Sequence, residues 1–395
     1  MKILVLAKQC PYPLDDGASI AIHLLSKGLV EAGATVDLLA FNTLKHRYEG
    51  DLARRELSHY GSIELVDLDN RPSMIGAALN MLTNESYHVS RFRSAEMELK
   101  LSTTLPNQAY DIVQIESSHL LIYYDLIRTY HSGKIILRAH NVEHQIWLRY
   151  QAQLDRKILS AYHRIQANRL RKIEEQYIAK MDGIMAVSEV DQAYFKLLNQ
   201  HAFVVPIGLD ILPSTSEESQ AVSSPRFGFI GSMDWAPNQE GLQWLLDRVL
   251  TQTNSDVQIV LAGRNFESAK LDIPNHLNIE ILGEIESTST FWDQVDVLMV
   301  PLFSGSGTRV KIIEAFTHQK LVLTTAIGIE GIPATDGEHA VIRDGEGAWH
   351  EAINTIMDNW STYTAIKLNG RQLAENNYEY GRVGAAAMKI YRQLV

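Results

Sequence analysis

The feature that most constrains the fold of this chain is a repeated alternation between short apolar runs and helix-length segments. The runs are rich in β-branched residues and nearly free of polar ones, which is typical of strands buried on both faces of a parallel sheet. The predicted strands are Lys2–Ala7, Thr35–Ala40, Ser62–Leu68, Asp111–Ile115, Lys134–Ala139, Gly183–Val187, Phe203–Pro206, Phe227–Ile230, Val257–Ala262, Leu277–Leu282, Val295–Leu302, Leu321–Thr325 and Ala340–Arg343. We therefore predict an α/β protein with parallel sheets covered by helices.

The length of the chain favours two such domains, since 395 residues exceed one ordinary hydrophobic core. The segment 212–225 is rich in serine, contains two prolines and has no apolar period, which indicates a linker. We predict a first Rossmann-like domain over 1–211 and a second over 226–375, with a terminal segment at 376–395. Parallel sheets bind ligands at the carboxyl ends of their strands, so the chemistry is expected in the loops there.

Composition excludes several classes of protein. The formal net charge of −11 argues against broad nucleic-acid binding, and the longest apolar runs are too short to span a bilayer. The single Cys10 excludes an internal disulfide, and the first residues lack the apolar core of a signal peptide. We expect a cytoplasmic protein.

The most informative stretch is a small-residue loop between a buried strand and a helix. Gly305 and Gly307 let backbone N–H groups approach a ligand, while Arg309 and Lys311 add positive charge beside the helix start. Such a loop suits a diphosphate, and Glu314 one turn further suits two ribose hydroxyls. A glycine-rich turn with solvated basic residues is the simpler interpretation of the same letters.

The loop is part of a wider resemblance to the GT-B retaining glycosyltransferases of family 4, also called glycosyl transferases group 1. The resemblance is carried by the stretches Gly305–Ala315, Leu321–Thr325, Gly328–Gly331, Phe229–Asn238, Val187–Asp191 and Val205–Asp210. It implies two facing Rossmann-like domains, a terminal helix at 376–395 that crosses back to the first, and a nucleoside-diphosphate sugar as co-substrate without a metal or other cofactor.

Carried over residue by residue, the resemblance assigns the donor site to the second domain and the acceptor to the first. The implied donor-binding residues are Gly231, Ser232, Arg264, Gly305, Ser306, Gly307, Thr308, Arg309, Lys311 and Glu314. The implied catalytic residues are His140, Lys311 and Glu314, with acceptor-loop residues Asp16, Gly17, Glu116 and Asn141. One departure stands out: many members carry a glutamate eight positions before Glu314, where this chain has Ser306.

Two other patterns bear on the first domain. The residues from His140 to His144 also fit the H-x-x-E-H zinc motif, with Glu143 inside it. From Trp147 to Tyr177, apolar residues recur at helical spacing opposite a basic face. We interpret this stretch as a core-facing helix, with contact to an anionic membrane or a lipid-linked acceptor as the alternative.

The sequence thus predicts a retaining hexosyltransferase that moves a sugar from a nucleoside-diphosphate sugar to the hydroxyl of a sugar, lipid-linked or small-molecule acceptor, in cell-envelope polysaccharide or glycoconjugate synthesis. The alternatives are a non-catalytic GT-B protein that binds a nucleotide or a partner, and a zinc hydrolase that uses His140, Glu143 and His144. No nucleic-acid partner is expected.

Overall fold

The computed structural model describes residues 1–14, 16–44, 47–48, 50–152, 156–211, 224–253, 257–266, 271–274, 276–285, 287–304 and 307–395. Most of the predicted linker 212–225 lies outside these residues, as do Gly305 and Ser306 of the predicted donor loop. The chain divides into two compact units. Unit 1 is Met1–Asp210 with Glu379–Val395, and unit 2 is Ile211–Tyr378.

Unit 1 is built around a parallel sheet of seven strands in the order β3-β2-β1-β4-β5-β6-β7. Its strands are β1 Lys2–Ala7, β2 Thr35–Thr43, β3 Ile63–Leu68, β4 Ile112–Glu116, β5 Lys134–Ala139, β6 Gly183–Ala186 and β7 Ala202–Val204. Its helices are α1 Gly17–Glu31, α2 Gly50–Glu56, α3 Met74–Asn80, α4 Tyr87–Ser90, α5 Ala95–Asn107, α6 Tyr124–Tyr130, α7 Glu143–Ala152, α8 Lys157–Ile178 and α9 Glu189–Lys196, with a 3₁₀ turn at Ser118–Tyr123.

Unit 2 repeats the arrangement with six strands in the order β10-β9-β8-β11-β12-β13. Its strands are β8 Phe227–Ile230, β9 Gln258–Ala262, β10 Asn278–Gly283, β11 Val297–Val300, β12 Leu321–Thr324 and β13 Val341–Ile342. Its helices are α10 Ala236–Trp244, which continues as a π turn (Leu245–Val249) and a 3₁₀ turn (Leu250–Gln252), α11 Ser289–Trp292, α12 Val310–Thr317, α13 Glu346–Asp358 and α14 Thr364–Tyr378, with a further 3₁₀ turn at Trp360–Tyr363.

The predicted fold class is confirmed: each unit is a parallel Rossmann-like sheet covered by helices. Every predicted strand overlaps an observed one, and no boundary differs by more than three residues. The apolar runs determined this outcome, because central strands such as β1 and β4 are buried almost throughout.

The last helix, α15 (Tyr380–Leu394), belongs to unit 1. Val383, Ala387 and Tyr391 are buried in the same apolar cluster as Ile22 and Leu25 of α1. Where the two helices cross, a Cβ atom added to Gly384 would lie 2.2 Å from the backbone carbon of Gly28. Glycine at both positions therefore permits backbone-to-backbone contact.

The interpretation of residues 147–177 as one core-facing helix is wrong. The segment forms the separate helices α7 and α8, and the predicted apolar stripe reaches the surface: Ile158 is 88% exposed and Ile165 is also exposed. The buried face of α8 instead contains Gln166, Ala167, Leu170, Glu174 and Ile178. Periodicity found the helices but misjudged which face packs, because buried polar residues such as Gln166 and Glu174 do not enter an apolar count.

Candidate functional site

The strand order of each sheet reverses at one point, between β1 and β4 in unit 1 and between β8 and β11 in unit 2. Loops that leave the carboxyl ends of strands at such a reversal form a crevice in which parallel sheets bind ligands. Most of the predicted site residues follow β1, β4 or β5 in unit 1, and β8, β9 or β11 in unit 2.

Lys311 is the centre of the unit 2 site. It lies in the first turn of α12, and its ammonium donates to the Ile230 carbonyl at 2.7 Å and to Asn238 Oδ1 at 3.1 Å. It also lies 5.0 Å from the centre of the Phe229 ring. The amide of Asn238 is oriented in turn, since its Nδ2 donates to the Ser232 carbonyl at 2.9 Å. A cation is thus held at the end of β8 by neutral acceptors.

The backbones of the loops after β8 and β9 lie in close contact, which requires glycine at two positions. A Cβ atom on Gly263, whose φ is +139°, would lie 2.0 Å from the carbonyl oxygen of Gly231, and one on Gly231 would lie 3.1 Å from Lys311 Nζ. The loops after β8 and β9 are further joined by the bond from Met233 N to the Arg264 carbonyl, 2.9 Å long. The structure therefore brings Gly231, Ser232, Arg264 and Lys311 together.

The helix start gives Arg309 and Lys311, two positions apart, different surroundings: Arg309 precedes α12, and Lys311 lies in its first turn. Because α12 begins at Val310, Arg309 is the N-cap residue outside the helix, and its guanidinium donates to the Gly307 carbonyl. Gly307 has a φ of +79°, which favours glycine at this turn. The hydroxyl of Thr308 is buried and has no hydrogen-bond partner within the described part of the chain.

Burial changes the charge state of both titratable groups on α12. Desolvation, together with the nearby Arg309 charge, lowers the pKa of Lys311 to about 7. Desolvation raises the pKa of Glu314 to about 7 against the opposing effect of Lys311. Both groups therefore titrate near neutral pH, where an incoming anion changes their protonation most easily.

The unit 1 site is a buried pair. Glu116, the last residue of β4, accepts a hydrogen bond from Nε2 of His140 at 2.6 Å. Nε of the fully buried Arg138 lies 3.9 Å from the same carboxylate oxygen, and the Arg138 guanidinium donates to the carbonyls of Val205 and Pro206. Glu116, predicted as an acceptor-loop residue, is fully buried behind His140.

The pair determines the form of the His140 imidazole. A carboxylate can only accept hydrogen bonds, so Nε2 of the neutral imidazole carries the proton and Nδ1 keeps its lone pair. Burial lowers the pKa of His140 below 6.5, against the opposing effect of Glu116, and the charges of Arg138 and Lys8 lower it further. His140 is therefore neutral at pH 7, with a lone pair that can accept a proton or a hydrogen bond.

The structure separates the residues of the H-x-x-E-H motif. The Glu174 carboxylate accepts bonds from the backbone N–H groups of Glu143 and His144 at the start of α7, and a third from His144 Nδ1 at 2.6 Å. His140 and His144 thus face different carboxylates. No group of three His, Cys, Asp or Glu residues suited to a metal ion occurs among the residues described.

The loop after β1 is ordered by Asp16, which caps α1 by accepting from Ser19 N at 2.8 Å. The N-cap of α1 is therefore Asp16. Buried Gln9 donates to Ser19 Oγ at 2.8 Å, and Gly17 is the first helical residue.

In the loop after β5, Asn141 forms a hydrogen bond with the Glu143 side chain. Burial raises the pKa of Glu143, and the bond to Asn141 opposes this effect.

Several residues that shape these sites were not predicted from the sequence. Asn238 orients Lys311, and Glu174 caps α7. Gln114 contacts the Glu116 side chain, and Tyr391 contacts Gln114. Lys8 lies immediately after β1 and its charge lowers the pKa of His140. Of these residues, Lys8 could have been predicted, because it is a cation at the carboxyl end of a predicted strand.

The chain is similar to known proteins over almost its whole length. A 23% identical relative, described as an uncharacterized 44.6 kDa protein in the cps region of Klebsiella pneumoniae, aligns over 98% of this chain and 99% of its own length. The Anabaena protein HepE in complex with UDP and glucose is 15% identical, with full coverage of both chains and a TM-score of 0.68. Sucrose-phosphate synthase from Thermosynechococcus elongatus is 15% identical with a TM-score of 0.71, over 100% of this chain and 99% of its own.

These solved structures confirm the fold at low identity. None of the described helices has the length and apolar character needed to cross a bilayer. The family described as glycosyl transferases group 1 matches residues 224–359, which include Gly231, Arg264, Arg309, Lys311 and Glu314. Residues 224–359 of this chain therefore form a glycosyl transferases group 1 domain, within a chain that has the fold of GT-B glycosyltransferases.

Proposed function

We propose that the protein is a retaining hexosyltransferase that transfers a sugar from a nucleoside-diphosphate sugar to an acceptor hydroxyl. The observation that carries the proposal is the position of Lys311, whose side-chain nitrogen is held by neutral acceptors at the end of β8, close to the backbone of Gly231. A diphosphate that enters there gains a charge-assisted hydrogen bond without breaking an ion pair at Lys311.

Each residue has a role in the proposed reaction. Lys311, Arg309 and the start of α12 stabilise the departing diphosphate as its charge grows. Glu314 accepts hydrogen bonds from the ribose hydroxyls. His140 holds the reacting sugar through its Nδ1 lone pair, and the departing phosphate takes the proton from the acceptor hydroxyl. In this proposal Lys311, Arg309 and the start of α12 neutralise the diphosphate in place of a metal ion.

The cellular role is proposed from a single relative. Its description places it in a cps region, which suggests synthesis of a cell-envelope polysaccharide. Such an enzyme works in the cytoplasm, at the inner face of the membrane, on a sugar, a lipid-linked sugar or a small acceptor.

Calorimetry with a panel of nucleoside diphosphates tests the donor site. We expect one of them to bind in the presence of EDTA, and Lys311→Met to weaken it roughly 10- to 150-fold, since a charge-assisted hydrogen bond contributes about 1.5–3 kcal/mol. The parent nucleoside, which lacks phosphates, is the matched control and should bind both proteins equally. Binding only with Mg²⁺ or Mn²⁺ would refute the metal-free site, and no binding at all would refute the donor site itself.

Donor consumption separates an enzyme from a non-catalytic binding protein. We expect release of nucleoside diphosphate from the nucleotide sugar, slowly by hydrolysis and faster with an acceptor. Tight binding without any turnover across a panel of sugars would favour the non-catalytic alternative, since Ser306 stands where many relatives have a glutamate.

A second proposal, contact with an anionic membrane, is favoured by the surface around α3. Met74 is 91% exposed and Leu82 is 87% exposed, with Ile75 and Leu79 exposed between them. The end of α3 contacts α8 through bonds from Gln166 and Arg169 to Asn80, so the basic Arg169 lies beside the segment that carries Leu79 and Leu82. Apolar side chains beside basic ones match the interface of an anionic bilayer.

Vesicle sedimentation tests this surface. Binding to phosphatidylglycerol-containing vesicles should exceed binding to pure phosphatidylcholine and fall with added salt. Met74→Asp combined with Leu82→Asp should abolish it, whereas Leu368→Asp, at an exposed leucine of unit 2, should not. Equal binding of both variants, or none by the parent protein, would exclude the membrane contact.

A further inference from the structure

The buried network behind His140 extends to the last helix of the chain. Tyr391 on α15 is fully buried, and its hydroxyl contacts Oε1 of Gln114 on β4. Nε2 of Gln114 contacts Oε1 of Glu116, whose second oxygen bonds His140. Four side chains thus form one chain of hydrogen bonds from the terminal helix to the histidine.

The direction of every bond in this network follows from the chemistry of its members. A carboxylate can only accept, so Gln114 must present its amino group to Glu116. Its carbonyl oxygen then faces Tyr391 and can only accept, so the tyrosine donates. Reversal of any one bond would place two acceptors or two donors together in a fully buried site, which is costly.

Because the bonds are ordered in this way, the Tyr391 hydroxyl affects the orientation of His140, which it does not touch. While it donates to Gln114, the amide cannot rotate, and its amino group stays on Glu116. The carboxylate is then held from one side by Gln114 and lies 3.9 Å from Arg138, so its second oxygen is directed at His140 Nε2. The imidazole is fixed in one tautomer and one ring orientation.

We propose that Tyr391 is a positioning residue for His140, which it orients through Gln114 and Glu116. Its effect on turnover rests on the proposed function of His140, whereas its effect on the imidazole does not. The helix that closes unit 1 thereby contributes to the site as well as to the core.

The test compares two tyrosines on the same helix. Tyr391→Phe keeps the ring and removes the donor. Tyr380→Phe is the matched control, because its hydroxyl donates to Glu31 at 2.6 Å in an exposed pair remote from this network. The first readout is the ¹⁵N spectrum of histidine-labelled protein, in which His140→Gln identifies the His140 signals by their loss.

We expect the parent protein and Tyr380→Phe to show the same His140 signals, from an imidazole protonated at Nε2, and Tyr391→Phe to show shifted His140 signals, because the Glu116 carboxylate is held less firmly against Nε2. The second readout is turnover. Tyr391→Phe should lower kcat about 10-fold, which is about 1.4 kcal/mol in activation free energy, with unchanged nucleoside diphosphate affinity.

The two readouts separate the proposals. Unchanged His140 signals in Tyr391→Phe overturn the positioning role even if turnover falls. Changed signals in a protein that lacks any transferase activity support the positioning role and reject the proposed function. If Tyr391→Phe does not fold, Gln114→Met breaks the same link while Tyr391 remains, and the same two outcomes decide.

Discussion

At the scale of single residues, Lys311 makes nucleotide binding depend on pH. Its pKa is lowered to about 7, first by burial and then by Arg309, so the lysine is largely neutral above that pH in the free protein. A diphosphate beside the ammonium raises its pKa, and binding above pH 7 must therefore take up a proton. Affinity should fall as pH rises above 7, by up to about tenfold per unit.

Calorimetry in buffers of different ionisation enthalpy measures this uptake directly. Lys311→Arg is the matched variant, because a guanidinium stays charged throughout the range. The affinity of this variant should not fall above pH 7. The same loss of affinity with pH in both proteins would show that another group is responsible.

His140 should affect turnover without affecting nucleotide binding. Its partners Glu116 and Arg138 belong to unit 1, whereas the residues around Lys311 belong to unit 2. We expect His140→Ala to lower kcat at least about 10-fold, while calorimetry gives the parent affinity for the nucleoside diphosphate. Full turnover in a variant with an unchanged melting temperature would make the histidine structural.

At the scale of elements, the crossing of α1 and α15 depends on two glycines. A Cβ atom on Gly384 would lie 2.2 Å from the Gly28 backbone, which no side-chain rearrangement can relieve. Although alanine is the better helix former, we expect Gly384→Ala to lower the free energy of unfolding of unit 1 by about 1–3 kcal/mol, the usual cost of overpacking. Urea denaturation measures the change.

Gly381 on the same helix is the control. The nearest atoms to a Cβ atom there would be carboxylate oxygens of Glu379 and Glu31, at 3.2 to 3.3 Å, so a shift of a few tenths of an ångström in these side chains would make room. Gly381→Ala should therefore be neutral or stabilising. Equal destabilisation by both substitutions would attribute the effect to the helix itself and contradict the close crossing.

At the scale of the whole molecule, unit 1 should lose stability in mild acid. Burial, the largest effect in each case, lowers the pKa of His23 and His59 to about 4 and that of His88 to about 3, from 6.5. Between pH 6.5 and 4 these side chains are protonated in the unfolded chain but neutral in the folded one. Each should therefore reduce the free energy of unfolding by up to about 1.4 kcal/mol per pH unit as pH falls.

Urea denaturation at several pH values from 7.5 to 5 measures this slope. His88→Phe is an informative variant, because His88 stacks on Trp147 with ring centres 3.9 Å apart and phenylalanine keeps the ring without the titration. Its unfolding free energy should fall less steeply with acid. A slope identical to that of the parent protein would mean that His88 does not titrate as its burial implies.

The sequence by itself determined the sheets. Uninterrupted apolar runs such as Lys2–Ala7 and Ile112–Ile115 can be satisfied only by burial on both faces, so their position and parallel pairing follow from local composition. The start of α12 could also be predicted from a local pattern, because Gly307, Arg309 and Lys311 are neighbours in sequence. The buried face of α8 was misjudged, because the buried polar residues Gln166 and Glu174 break the apolar period.

Only the tertiary structure decided what those side chains contact. Lys311 donates to Asn238, 73 positions earlier, and Tyr391 donates to Gln114, 277 positions earlier. Such contacts depend on strand order and on where each helix packs, which many distant residues set together and no local pattern records. A buried polar group must find a partner wherever the fold places one, so the chemistry around His140 is a property of the assembled core.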